Sequence, residues 1–244
     1  MQKKMLKAAI HANREIYNTI NKGYKEEWHK QYSVGAGGDI SSGFDLFCEK
    51  TFVKYLQEFG EIESEESGVI GEGERKIIID PLDGSSNADA NLPYYGSSVA
   101  ILDKEGILEL AVVCNFANGD IFYKFANSKL MVGNILTEKF KEEISSYSQK
   151  IGIFEKAYAY PAIVNKLNSI GIKFRTPGAI ALSLAYAHRV NFVIFKGSLR
   201  IYDFAAALAF CEDLKVSISQ DYVIVTHSKE LLEVLEKFLI EEDL

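Results

Sequence analysis

The chain has 244 residues, 48% apolar and 25% charged, with 18 Gly and only 4 Pro, a composition that excludes a disordered tail protein, a collagen and a disulfide miniprotein. A chain of this length can bury a core large enough to fold without metal or disulfide, so any metal site has to be argued as function. The net charge is −7, from 34 acidic and 27 basic residues with no cationic block, so a nucleic-acid backbone is not expected as a partner.

Met5, Ala9, Ala12, Ile16 and Ile20 recur at helical spacing, and Asn21-Lys22-Gly23 closes that helix. This amphipathic start lacks the continuous apolar core of a signal peptide, and no apolar run approaches a membrane span. Cys48, Cys114 and Cys211 lie far apart among apolar neighbours and read as buried free thiols. The expectation is a cytoplasmic protein with no membrane partner. Residues 33–43, with four glycines and three serines in eleven positions, read as a flexible loop inside a domain. Phe44, Phe47, Cys48, Phe52, Tyr55 and Phe59 then mark a second helix.

An acidic connection follows over 61–74. Lys76-Ile77-Ile78-Ile79 is a continuous β-branched run of the kind that forms a buried strand, and further strands are expected over 98–102, 110–115 and 121–125, separated by hairpin-like turns. The second half alternates: strands at 157–160, 172–175, 192–195 and 222–226, helices at 161–170, 177–188, 202–214 and 229–239. Strand–helix alternation points to an α/β layer.

The chemistry concentrates at Asp80-Pro81-Leu82-Asp83-Gly84-Ser85-Ser86-Asn87. Two carboxylates three apart at the end of an apolar strand repel unless a cation or a shared proton compensates. Pro81 stiffens the turn, Gly84 permits an unusual backbone conformation, and the residues after it offer hydroxyls and N–H groups, which suits a divalent cation and a phosphate bound together. The same residues also suit an acidic turn with an N-cap Asp. Taken alone, Glu65-Glu66 reads as a solvated acidic loop, Asp203 as a plain N-cap, and Asp45 as a helix-start cap. His11, His29, His188 and His227 are scattered, and no His or Cys cluster argues for zinc.

In this order along the chain, Glu65-Glu66, the octet from Asp80 to Asn87 and Tyr202-Asp203-Phe204-Ala205-Ala206 resemble the superfamily of Mg2+-dependent, lithium-sensitive phosphatases. That group includes inositol monophosphatases, fructose-1,6-bisphosphatases and bisphosphate nucleotidases. The resemblance runs from about Asp45 to Ala207. Phe44-Asp45-Leu46-Phe47, Ser64-Glu65-Glu66, residues 80–91 and Gly96 are most similar to fructose-1,6-bisphosphatases. Arg175-Thr176-Pro177-Gly178-Ala179, residues 202–207 and the compact length are more similar to inositol monophosphatases.

The resemblance implies an α+β fold, a layered α/β/α/β/α sandwich in one unit. Residues 1–130 would form an N-terminal half with an antiparallel sheet and the metal loop, and residues 131–244 a C-terminal α/β half. It implies two or three Mg2+ ions. Glu65, Asp80 and the Leu82 carbonyl would hold one, Asp80, Asp83 and Asp203 a second, and Glu65 would help with a third. It implies a Ser85 hydroxyl, relayed to Asp45, that orients and deprotonates the attacking water, with Glu65 also catalytic. Asp83, Gly84, Ser85 and Ser86 would cradle the phosphate. A homodimer or homotetramer is expected on the same grounds.

The chain departs from the inositol monophosphatase pattern at Lys196, which stands where that family usually carries Glu. A cation there suits a second phosphate better than neutral hydroxyls, with Arg200 and Arg175 as further candidates. Cys211-Glu212-Asp213-Leu214 replaces the usual Glu-Ala-Gly-Gly segment, and the Lys common in the mobile loop is missing from residues 35–38. The expected function is that of a metal-dependent phosphoric monoester hydrolase acting on a small phosphorylated sugar or polyol. Fructose 1,6-bisphosphate comes first and inositol 1-phosphate second. The alternatives are a 3′(2′),5′-bisphosphate nucleotidase and a catalytically silent homologue acting as a binding protein.

Overall fold

The spacing from Met5 to Ile20 does form a helix. In the computed structural model, which describes residues 1–144 and 150–240, α1 spans Gln2–Ile20 and turns Met5, Ala9, Ala12, Ile16 and Ile20 inward. A 3-10 turn, Glu26–His29, leads into a two-stranded antiparallel ribbon of β1 (Gln31–Val34) and β2 (Ile40–Ser42), with the glycine-rich loop between them. α2 (Gly43–Leu56) packs on α1, and its Phe44, Cys48, Phe52 and Leu56 join the same core. Each fully buried side chain of this size contributes about 1.5–3 kcal/mol from removal of apolar surface. Ser42 caps α2 in a capping box: its Oγ accepts from the Phe44 and Asp45 N–H groups, and Asp45 Oδ2 accepts the Ser42 N–H at 2.6 Å.

The eight-stranded sheet follows. Its strands are β3 (Glu61–Ser64), β4 (Gly68–Ile70), β5 (Lys76–Asp83), β6 (Gly96–Leu102), β7 (Leu108–Asn115), β8 (Asp120–Phe125), β9 (Met131–Asn134) and β10 (Phe140–Glu142), in the order β10-β9-β8-β7-β6-β5-β3-β4, and a short helix, α3 (Ser85–Asp89), follows β5. All pairs are antiparallel except β3 with β5. The acidic connection expected over 61–74 therefore holds two short strands at one end of the sheet, β4 at the edge and β3 inside it, and the sheet runs past residue 130. The central strands are apolar on both faces. Ile77, Ile79, Val99 and Ile101 face the α1–α2 core, whereas Ile78, Ala100, Ala111 and Val113 face the opposite layer.

The second sheet consists of β11 (Gly152–Glu155), β12 (Phe174–Arg175), β13 (Phe192–Lys196), β14 (Lys215–Ile218) and β15 (Tyr222–Thr226), in the order β12-β11-β13-β15-β14. Between the sheets lie α5 (Ile180–Ala185), α6 (Ile201–Phe204) and a 3-10 turn, Ala207–Cys211. The outer layer is α4 (Pro161–Ser169) and α7 (Lys229–Ile240). The result is the α/β/α/β/α sandwich that the resemblance implied.

Three local expectations shift. The strand expected over 157–160 lies at β11 instead, because Ile153 and Phe154 are the buried pair; Lys156 then adopts φ 57°, and Ala157–Ala159 is a 3-10 turn. The single helix expected over 202–214 is α6 plus a separate 3-10 turn, with Ala206, Ala207, Phe210 and Cys211 all buried between the sheets. The helix expected from Pro177 begins only at Ile180, because residues 177–179 form a loop that the site uses. Among the described residues no helix is long and apolar enough to cross a membrane.

Candidate active site and metal centre

β5 ends in Asp80-Pro81-Leu82-Asp83. Asp80 pairs with Ser98 of β6 and Asp83 with Gly96, so three steps on β5 match two on β6. In a regular strand, residues three apart face opposite sides. The extra residue is a bulge, and it re-aims the strand so that both carboxylates line one cavity of about 470 Å3. The Leu82 N–H donates to Asp80 Oδ1 at 3.0 Å, and the Leu182 N–H of α5 donates to Asp83 Oδ2 at 2.8 Å. Gly84 follows with φ 84°, ψ 39°; a Cβ there would meet Ala179 Cβ at 3.0 Å and the Tyr94 carbonyl at 3.1 Å. Glycine therefore serves both the backbone conformation and the close approach of the 177–179 loop.

Glu65 arrives from β3, which runs parallel to β5; its N–H donates to the Ile79 carbonyl at 3.1 Å, so it stands beside Asp80. Asp203 arrives from α6, which packs against β5. It is the third residue of that helix rather than its N-cap, which is Arg200. One oxygen from each of Glu65, Asp80 and Asp203 lies within 4.8 Å of the others, and all three residues are buried. Asp83 lines the same cavity.

These groups are out of water and crowded with like charge. Burial, then neighbouring carboxylates, pushes Asp80 and Asp83 well above the ordinary carboxylate range. Glu65 is pushed up to about 7 by burial, with Arg200 opposing the rise and Asp203 adding to it. Burial also takes Glu66 up to about 7, although the Ser41 hydroxyl donates to it. Asp45 and Asp203 are raised by burial as well.

Ser85 and Ser86 line the cavity beside Gly84, and Asp45 lines it from the start of α2. The relay expected between Ser85 and Asp45 is not formed: one Asp45 oxygen holds the Ser42 N–H, and among the described residues no hydrogen bond joins the pair. Arg200 reaches the site, where its guanidinium contacts Glu65, Asp203 and Asp39. Lys196 and Arg175 are not brought there. Lys196 is buried at the end of β13 with Nζ 2.7 Å from Asp221 Oδ2, the counter-ion a buried ammonium needs. Arg175 is exposed on edge strand β12 and donates to the Phe174 carbonyl at 2.9 Å. Neither is among the residues lining the cavity.

Sequence reasoning missed Glu155 and Lys156, which both line the cavity. Glu155 is buried; it accepts from the Gly178 N–H at 2.8 Å and from the Ser183 hydroxyl, and so anchors the 177–179 loop. Asn87 holds the same loop by donating to the Pro177 carbonyl at 2.6 Å. A lone Glu closing an apolar run was the available signal for Glu155, hidden because the strand was expected five residues later.

The donor set fits a hard divalent ion. It is all oxygen, it is buried, and four carboxylates crowded in low dielectric need positive charge. Glu65, Asp80 and Asp203 would hold a first Mg2+, with Asp83 placed to help hold a second.

A layered α/β/α/β/α sandwich that gathers Glu65, Asp80, Asp83 and Asp203 from three elements around one cavity defines a class of proteins with a carboxylate-lined site able to hold metal. The chain belongs to the inositol monophosphatase family, whose model matches residues 1–214. It is 32% identical over 209 residues to the fructose-1,6-bisphosphatase/inositol-1-monophosphatase of Methanothermobacter thermautotrophicus, covering 74% of this chain and 71% of that relative. It is 30% identical over 223 residues to the Nus factor SuhB of Escherichia coli strain K12, covering 83% of this chain and 79% of that relative. Among solved structures, holo fructose-1,6-bisphosphatase of Leishmania major has the same fold, with a TM-score of 0.78 and 17% identity over 96% of this chain and 93% of that one. So does the Thermotoga maritima IMPase, with a TM-score of 0.75 and 21% identity over 97% of this chain and 98% of that one.

Proposed function

We propose that the protein is a Mg2+-dependent phosphatase of small phosphorylated sugars or polyols, with fructose 1,6-bisphosphate the leading substrate and inositol 1-phosphate the second. The convergence of Glu65, Asp80 and Asp203 within 4.8 Å carries this reading, because buried carboxylates crowded in that way favour added positive charge, of which Arg200 supplies only one unit. Magnesium, when bound, supplies Lewis acidity and neutralises phosphate charge.

The chain's own residues do the rest. Asp80, Glu65 and Asp203 would hold a first ion, and Asp83 with Asp80 and Asp203 would hold a second. Ser85 and Ser86, on the turn after Gly84, orient the phosphate. Glu66, which burial pushes up to about 7, and Asp45, which burial also raises, are the candidate acceptors for the proton of the attacking water. The water oxygen forms its bond to phosphorus as the bond from phosphorus to the sugar oxygen breaks, and the proton taken from the water passes to the leaving oxygen, giving an alcohol and inorganic phosphate. Lys156 and Arg200, the two cations lining the cavity, favour an anionic leaving group over a neutral polyol.

A phosphate-release screen in the presence of Mg2+ tests the proposal, using fructose 1,6-bisphosphate, inositol 1-phosphate, histidinol phosphate and adenosine 3′,5′-bisphosphate. Turnover of a sugar or polyol phosphate that stops on adding EDTA supports it. Turnover of the nucleotide alone selects the nucleotidase reading. No release from any of the four selects a non-catalytic binding protein.

A further inference from the structure

We infer that Arg200 is a built-in counter-cation of the acidic centre, which holds Glu65, Asp203 and Asp39 together in the metal-free protein and must give up Glu65 and Asp203 as a divalent ion binds. This rests on the metal-centre reading and concerns what occupies the carboxylates before the ion arrives.

The geometry is specific. Arg200 Nη1 lies 2.6 Å from Glu65 Oε1 and 2.8 Å from Asp39 Oδ2. Its Nε donates to Asp203 Oδ2 at 3.0 Å and its Nη2 to Asp203 Oδ1 at 3.3 Å. Two of the three carboxylates that converge are therefore already held by one guanidinium. The planar fork grips both oxygens of Asp203, a geometry that a lysine ammonium cannot reproduce. A guanidinium and a divalent ion at this range in a buried site repel strongly, so the two compete for the same oxygens.

The contact also reaches out of the site. Asp39 sits on the glycine-rich loop between β1 and β2, 161 residues from Arg200 in sequence. That loop lies on the backbone of the ligand segment: the Gly37 N–H donates to the Glu65 carbonyl at 2.7 Å and the Ala36 N–H to the Glu66 carbonyl at 3.0 Å. A Cβ at Gly37 would sit 2.5 Å from Glu65 Cγ. Loop, Glu65 and Arg200 are thus one stacked unit, so exchange of the guanidinium for an ion also loosens the Asp39 tether.

Isothermal titration of EDTA-treated, dialysed protein with MnCl2, in the absence of substrate, tests the inference. Arg200→Gln is expected to tighten Mn2+ binding about ten-fold, the scale of removing one competing buried pair, and to lower the melting temperature of the metal-free protein. Arg200→Lys separates exchange from charge alone. It keeps the charge but loses the fork, so it too is expected to bind Mn2+ more tightly than the wild type. In the wild type, the NMR signal of the Arg200 Nε–H is expected to shift when diamagnetic Mg2+ is added. Unchanged or weaker binding by R200Q overturns the inference, as does an R200K protein indistinguishable from the wild type. If R200Q does not fold, R200K and the wild-type resonance decide. Failure of all three proteins to bind any divalent ion refutes the metal centre and this inference with it. Metal binding without phosphate release from any substrate refutes only the phosphatase.

Discussion

Asp83 and Leu182 stand 99 positions apart, yet the Leu182 N–H donates to Asp83 Oδ2 at 2.8 Å. One carboxylate therefore serves two purposes: it lines the acidic cavity, and it ties the bulge of β5 to the helix between the sheets.

That double role separates two substitutions. Asp83→Asn keeps an acceptor for the Leu182 N–H but loses the negative charge. It is expected to melt near the wild type while phosphate release falls at least about 100-fold, the scale of losing several kcal/mol of charge stabilisation. Asp83→Ala also leaves a buried N–H unpaired, which costs a further ~1–3 kcal/mol in denaturant unfolding. Wild-type turnover by either variant would remove Asp83 from the site.

Stability should depend on metal and pH together. Burial raises Glu65 and Glu66 from 4.5 to about 7. Between those values the folded protein binds more protons than the unfolded chain, so stability falls as pH rises through that window. EDTA-treated protein is expected to melt highest near about pH 5 and to lose stability towards about pH 8, and added Mg2+ should abolish the loss. Scanning calorimetry across that range decides it; a melting temperature that climbs with pH in EDTA contradicts the argument.

Gly84 has φ 84° and almost no room for a side chain. Gly84→Ala is expected to cost roughly 1–2 kcal/mol from the left-handed backbone alone. It should also raise KM, because the turn carrying Ser85 and Ser86 would be pushed off the 177–179 loop. A variant with unaltered stability and KM would show that the turn tolerates a Cβ.

Ser42→Ala removes the hydroxyl that accepts from Phe44 and Asp45. The loss of the cap is expected to cost about 1 kcal/mol in urea unfolding. The Asp45 carboxylate is held by the Ser42 backbone N–H, which alanine keeps, so this variant should retain turnover, whereas Asp45→Asn should lose it if Asp45 takes part in proton transfer. Full kcat in Asp45→Asn would leave Asp45 as a cap alone.

Much of the architecture was legible in local pattern. The spacing of α1, the aromatic face of α2 and the apolar runs of β5, β13 and β15 report burial directly, because each element meets its core through a fixed period. The short strands β3 and β4 were not legible, since Glu61 and Glu63 alternate through β3, β4 is only three residues, and acidic residues surround both, so the segment looks like an acidic loop. Nor was the break between α6 and the Ala207–Cys211 turn, where packing between two sheets overrides a helical run of alanines.

The site divides along the same line. Residue chemistry and the octet from Asp80 to Asn87 were enough to point to an all-oxygen donor set, which suits a hard cation, and to a tight turn after Gly84, because donor type and turn propensity are local properties. Which cations reach the cavity was a tertiary decision. Lys196 is drawn away by Asp221 and Arg200 is drawn in by Glu65 and Asp203, although both sit close to Asp203 in sequence. The convergence of Glu65 with Asp80 and Asp203 was likewise settled by the β5 bulge and by α6 packing on that strand. Contacts between residues more than a hundred positions apart depend on how whole layers stack, and no spacing along the chain records that.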